Sequence, residues 1–188
     1  MNLRDKSPAL ILIDFQRGFD QEEYWGGNRN NKNAESNARH ILQQWRNLHL
    51  PVFHVRHSSQ NPLSLLYQSN PGFEIKDEVK PIGGEILITK NVNSAFIGTS
   101  LKAELDAENI KSVVITGLTT NHCVSTTARM AGNYGYETIV IADATATFDR
   151  TGILGEKYSA EIIHLTSLAN LKDEFAEILK TEELLKNL

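Results

Sequence analysis

The chain has 188 residues, a length suited to one domain with its own core. Hydrophobic residues make up 40% and charged residues 22%, which excludes a disordered or collagen-like chain. With 19 Lys and Arg against 23 Asp and Glu, the net charge is −4, so the basic excess that nucleic acid or an anionic membrane demands is absent. The single cysteine, Cys123, rules out an internal disulfide framework and a Cys-rich zinc site, and it suits a reducing compartment. The segment from Met1 to Pro8 has no apolar signal core, and no run approaches the roughly 18 apolar residues of a membrane span. These features predict a cytoplasmic protein of one domain, residues 1–188, that binds neither nucleic acid nor membrane.

In chain order, the first run is Ala9-Leu10-Ile11-Leu12-Ile13, apolar throughout and closed by Asp14. A Gly- and Asn-rich stretch from Gln16 to Asn33 leads to a helical segment at 34–48, where Ala38, Ile41, Leu42 and Trp45 form one apolar stripe. Val52-Phe53-His54-Val55 follows Pro51 as a second strand. A second long connection, Ser58 to Gly84, precedes the strand Ile86-Leu87-Ile88-Thr89. Thr99 or Gly98 is positioned to cap a short helix carrying Leu101 and Leu105. Ser112-Val113-Val114-Ile115-Thr116 then closes at Gly117, and a helix is expected from Cys123 to about Tyr134. Thr138-Ile139-Val140-Ile141-Ala142 closes at Asp143, and a longer helix is expected from Ser159 to Phe175. Ala176 to Leu179 reads as a sixth, edge strand, with a final short helix capped by Thr181.

Strands apolar on both faces, alternating with helices, predict a three-layer open α/β sheet. It would have about six mostly parallel strands, with helices on both faces in the Rossmann-like manner. Ligands of such sheets bind beyond the carboxyl ends of the strands. Those ends carry Asp14, His54 and His57, Lys90, the turn from Gly117 to Cys123, and Asp143. Each has an ordinary structural explanation: a turn former, a packed strand-end histidine, a surface charge, a small buried thiol.

Together they make a coherent chemistry. Cys123 is a potential nucleophile, and a helix start and the Lys90 ammonium would both favour its thiolate. Asp14 is a potential general base and acid. The Gly-Leu-Thr-Thr-Asn turn before Cys123 can aim backbone N–H groups at a carbonyl oxygen.

The chain resembles the isochorismatase-like cysteine hydrolases. The matching pieces are Leu10-Ile11-Leu12-Ile13-Asp14-Phe15-Gln16 with Phe19, Thr89-Lys90 with Ser94-Ala95-Phe96, Gly117 to Val124, and Ala142-Asp143-Ala144. The likeness runs from about Pro8 to Leu185. It implies a catalytic triad of Asp14, Lys90 and Cys123, a cis peptide between Leu118 and Thr119, and an oxyanion hole built from the N–H groups of Thr119 and Cys123. It also implies a small-molecule substrate and self-association as a dimer or tetramer. An exposed apolar segment, Leu63-Ser64-Leu65-Leu66-Tyr67, would serve that association unless it folds over the site as a lid.

Departures matter too. The metal motif of the nicotinamidase branch requires an Asp two residues before His54, where this chain has Val52. His54 and His57 alone make an incomplete site, so no metal and no cofactor are expected. His122 is too close in sequence to Cys123 to form a dyad with it on a helix, and reads as a pocket-wall or surface residue. Neither a dinucleotide nor a P-loop fingerprint occurs, and there is no G-x-S-x-G elbow.

The expected activity is hydrolysis of an amide, ureido or N-acyl C–N bond through a thioester. The alternatives are an ester or vinyl ether substrate, or a non-catalytic binding module. Gln16, Phe19, Trp25, His57, Phe96 and Thr120 lie on rim segments and are expected to contact substrate.

Overall fold

The computed structural model describes residues 3–188, so Met1 and Asn2 of the N-terminal segment lie outside the described residues. Its strands in chain order are β1 (Ala9–Ile13), β2 (Val52–His57), β3 (Ile86–Lys90), β4 (Ser112–Leu118), β5 (Glu137–Ala146), β6 (Arg150–Thr151), β7 (Lys157–Tyr158) and β8 (Glu177–Leu179). The helices are α1 (Glu22–Trp25), α2 (Ala34–Asn47), α3 (Leu101–Ala107), α4 (Ser125–Asn133), α5 (Ala160–Ala169) and α6 (Thr181–Lys186). Six strands form one parallel sheet in the order β3-β2-β1-β4-β5-β8, while β6 and β7 make a small antiparallel hairpin.

The continuous apolar runs are explained by burial on both faces. Leu10 and Leu12 of β1 enter one core with Ala38, Ile41, Leu42 and Trp45 of α2 and Leu184 of α6. Ala9, Ile11 and Ile13 point the other way, onto Leu101 and Leu105 of α3 and Ala128 and Ala131 of α4. The chain runs outward from β1 to β2 and β3, then returns to lay β4 on the other side of β1. The crevice beyond the carboxyl ends of β1 and β4 is therefore the switch point at which such sheets bind ligands.

Three sequence expectations need correction. The helix expected from Ser159 to Phe175 ends at Ala169, because the chain folds back so that Phe175 and Ala176 N–H both donate to the Leu171 carbonyl. The fifth strand does not end at Asp143. Its pairing with β4 jumps from Ile115–Val140 to Gly117–Thr145, so Asp143 sits in an irregular stretch inside β5. There its carboxylate accepts from Thr181 N and Oγ1 at 2.8 Å each and anchors the start of α6, a structural task. Finally, Cys123 does not begin a regular helix, but lies in a π-helical turn, Thr120–Val124, that precedes α4.

The two long connections are packed, not loose. Arg29 from the first meets Glu35 in a bidentate pair of 2.9 and 2.7 Å, and Lys76 from the second reaches Glu35 at 2.6 Å and Asp20 at 2.5 Å. Burial alone would raise the Glu35 pKa, but the two cations outweigh it and the carboxyl is held below its ordinary range. Within 63–67, Leu66 turns inward to the core and Leu63 alone stands largely in solvent, at 85% exposure, so the segment is chiefly a wall of the molecule. Among the described residues no helix is long and apolar enough to cross a membrane.

Trp45 is the largest fully buried side chain, and its Nε1 donates to the Pro8 carbonyl at 2.9 Å just before β1. Trp45→Ala should lower the unfolding free energy by about 3–5 kcal/mol, read as a reduced urea midpoint at unchanged slope.

Candidate active site

Three strands deliver the central groups. Asp14 follows β1 directly and takes a positive φ of 52°, a conformation Asp tolerates better than most residues. Lys90 is the last residue of β3 and reaches across the end of β2. Cys123 comes from the π turn after β4. Gly117, at φ 137°, lets β4 lie against the end of β1, since a Cβ there would collide with the Ile13 carbonyl. The Leu118–Thr119 peptide is cis, as the family resemblance implies.

The Lys90 ammonium joins these groups. It donates to Asp14 Oδ2 at 2.7 Å and lies 3.3 Å from both Cys123 Sγ and His57 Nδ1. A lysine has three N–H donors, so these acceptors use all of them. The side chains of Asp14 and Lys90 have no solvent exposure. Among the described residues Asp14 Oδ1, also buried, has no hydrogen-bond partner.

The electrostatics follow from this packing. Burial works against the Lys90 charge, but the negative charge of Asp14 and contact with Cys123 overcome it, so the ammonium holds its proton more tightly than usual. Burial and then the Lys90 charge depress the His57 pKa, which keeps the ring neutral and able to accept from Lys90. The Cys123 thiol is pushed well up, first by burial and then by the Asp14 charge, with Lys90 opposing only in part. Lys90 favours the thiolate, as expected from the sequence, but burial and Asp14 outweigh it.

The sulfur opens into a cavity of about 330 Å³. Thr119, His122 and Cys123 line it beside a wall formed by Phe19, Trp25 and Phe148. The rings of Phe19 and Trp25 lie 4.6 Å apart, and Trp25 Nε1 is fixed by a 2.8 Å bond to the Gly18 carbonyl. Polar groups around it include Ser59, Asn61, Asn93, Thr147 and Arg150.

The isochorismatase domain family matches residues 8–183. An isochorismatase family protein of Bacillus subtilis, YrdC, is 48% identical over 183 residues, covering 97% of each chain. The chain belongs to the isochorismatase family. A crystal structure of a protein from Chromobacterium violaceum, assigned to the hydrolases of this family, superposes with a TM-score of 0.92 at 40% identity, covering 97% of this chain and 95% of that one. Nicotinamidase 3 of Arabidopsis thaliana is 28% identical over 97% of this chain and 89% of its own. Members of the family are hydrolases, many of them amidohydrolases, and this chain is an isochorismatase-family hydrolase.

Of the expected substrate contacts, Phe19, Trp25 and His57 line the cavity of this hydrolase. Gln16, Phe96 and Thr120 do not. The Gln16 amide is buried, donating to the His57 and Phe73 carbonyls at 3.0 and 2.9 Å while its oxygen accepts from His57 N at 2.8 Å. Phe96 packs in the second core against Tyr134 and Tyr136. Thr120 is fully buried, with Oγ1 at 2.9 Å from His164 Nδ1. His54 faces away from His57 and pairs with Glu85 at 2.7 Å.

Tyr24, Ser59, Asn61, Asn93, Thr147, Phe148 and Arg150 were not singled out from the sequence. Asn93 follows the end of β3 and Ser59 the end of β2, so the carboxyl-end rule could have found both. Thr147, Phe148 and Arg150 escaped because β5 runs beyond Asp143.

Two outcomes follow. Iodoacetamide should label Cys123 slowly at pH 7 and speed up only at clearly alkaline pH. Asp14→Asn should label faster, and Lys90→Ala slower, because one change removes a group that raises the thiol pKa and the other a group that lowers it. Separately, burial holds the His164 pKa at about 4, below the ordinary 6.5. The unfolded chain then binds more protons than the folded one between those values, so stability should fall as pH drops from 6.5 towards 4. The His164 share of the loss should approach about 3 kcal/mol, and His164→Gln should make the fall in melting temperature over that window shallower.

Proposed function

We propose that this hydrolase is a cysteine amidohydrolase that cleaves a C–N bond of a small molecule through a thioester, with Asp14, Lys90 and Cys123 as its triad. The observation that carries the reading is a single buried ammonium in contact with both a carboxylate and a thiol, at 2.7 and 3.3 Å. The raised thiol pKa makes the proton relay essential, since the sulfur starts protonated. As substrate binds, the thiol proton passes to Asp14, whose Oδ1 is free to receive it. Cys123 Sγ attacks the carbonyl carbon, and the Thr119 and Cys123 N–H groups hold the resulting oxyanion. Collapse breaks the C–N bond while Asp14 protonates the departing nitrogen. Water, losing its proton to Asp14, then attacks the thioester, and the acid leaves as the thiol is restored.

Lys90 has two tasks in this scheme. It holds the Asp14 carboxylate in place at 2.7 Å, and it supplies positive charge as the sulfur becomes anionic. The names of similar proteins support a C–N substrate over an ester or vinyl ether, among them nicotinamidase 3. A chemistry that needs a reduced sulfur also favours the cytoplasm as its compartment. Self-association finds better support in Ile153, Leu154, Ile162 and Leu165 than in the 63–67 segment, because these side chains stand out from the β6–β7 hairpin and α5.

Ammonia release from panels of primary amides and ureido acids, and hydroxylamine release from hydroxamates, test the reading. Cys123→Ala should abolish turnover while leaving substrate binding measurable. Asp14→Asn should reduce kcat on the order of 10²–10⁴-fold, the usual value of a positioned acid–base group. Turnover that persists in Cys123→Ala would remove the thioester from the mechanism.

A further inference from the structure

The turn that carries Cys123 is wound wider than an α-helix. In a regular helix Cys123 N would donate to the carbonyl four residues back, that of Thr119. Here that carbonyl accepts instead from His122 N at 3.1 Å and Val124 N at 3.2 Å, and Ser125 N reaches back to the Thr120 carbonyl. Cys123 N is spared the bond to Thr119, and its residue lines the cavity. Single π turns are rare and gather at functional sites, so contacts from outside the turn must hold this one open.

Two side chains of the turn make such contacts. Asn121 Oδ1 accepts from Thr147 Oγ1 at 2.5 Å, and Thr147 N donates to Asn30 Oδ1 at 2.7 Å. Thr120, fully buried, places its Oγ1 2.9 Å from His164 Nδ1. The residues that α5 buries are Ala160, His164 and Leu168, a single stripe with one residue per turn. A leucine in the middle of that stripe would extend the core, whereas the histidine is forced neutral by burial. Its Nε2 lies 3.4 Å from Asn31 Nδ2, but both hydrogens of that amide go to the Ala142 and Thr145 carbonyls. The Ala142 carbonyl also favours a proton on the ring. Nε2 therefore carries the hydrogen, and the Thr120 hydroxyl donates to Nδ1.

We propose that His164 is a positioning residue: it holds the Thr120 hydroxyl, keeps the turn in its π register, and so leaves Cys123 N–H free to meet the oxyanion. Without that anchor the turn would relax by closing the bond from Cys123 N to the Thr119 carbonyl, and the oxyanion would lose a donor. The effect on turnover rests on the amidohydrolase reading, but the hold on the register does not.

The chain has a single cysteine, so protein isotopically labelled at the cysteine nitrogen gives one backbone amide signal by NMR. Hydrogen exchange at that amide reads the register with no substrate present. It should slow about 10-fold or more in Thr120→Val and in the double variant Thr120→Val with His164→Leu, as the bond to Thr119 closes. The double variant leaves neither partner buried and unpaired, so it should fold as stably as the parent. On the primary amide that the parent turns over fastest, kcat should fall about 10-fold or more in both while KM stays nearly constant, because the lost donor serves the transition state. Thr120→Ser keeps the hydroxyl, and His164→Asn sets an amide oxygen where Nδ1 stands, so both should recover exchange and kcat in part. Exchange that is equal in the parent and the double variant overturns the proposal, and so does slowed exchange with kcat unchanged. Should the parent turn over no amide, slowed exchange in the double variant sustains the hold on the register while the amidohydrolase reading fails.

Discussion

The site depends on an ammonium that has no contact with water. An isolated lysine at such a place would shed its proton. With Asp14 at 2.7 Å, Lys90 keeps its proton, and the remaining two N–H groups of the lysine face a neutral imidazole and a thiol. The pair is weak evidence for stability, since dehydrating both ions costs what their attraction returns. What it secures is geometry, because either partner left alone would be an uncompensated charge. Three strand ends and the turn after a fourth are thereby drawn to one point.

Around that point the supporting contacts are polar and specific. Gln16 grips the end of β2 with both ends of its amide while also reaching the Phe73 carbonyl, so it ties β1, β2 and the second long connection together. On the opposite side of the π turn, His164 meets Thr120, and Asn31 donates to the Ala142 and Thr145 carbonyls at 2.8 and 2.7 Å. The turn bearing Cys123 is thus braced by α5 and by the irregular part of β5. Arg29, Glu35, Lys76 and Asp20 do the same for the two long connections, with charge in place of apolar contact.

The sheet was legible because its strands are buried on both faces, so Ala9–Ile13 and Ser112–Thr116 read as unbroken apolar runs. The meeting of Asp14, Lys90 and Cys123 was legible because Asp14, Lys90 and the residues before Cys123 directly follow such runs. What stayed hidden depends on long-range contacts. Nothing local marks Ala169 as a helix end, since the chain turns there to bring Leu171 into the core. The same holds for β5, whose continuation past Asp143 is fixed by pairing with Gly117 and Leu118. Gln16 and Thr120 sat beside the right residues but face the interior, and side-chain direction at an irregular strand end has no period to betray it. The balance of effects on the thiol was hidden for a related reason. Charge of Lys90 is visible in a sequence, whereas the depth at which the sulfur sits is not.

The separation of origins between chemistry and shape has a consequence for descent. The buried ion pair and the thiol come from strand ends and one turn. The surfaces that meet the rest of a ligand, Phe19, Tyr24, Trp25, Ser59, Asn61 and Arg150, come from connections and a hairpin whose backbone makes no part of the six-stranded ladder. Drift in those segments can alter what the cavity admits without touching how a bond is broken. A lineage built in this way can keep one reaction while its members part company over what they consume.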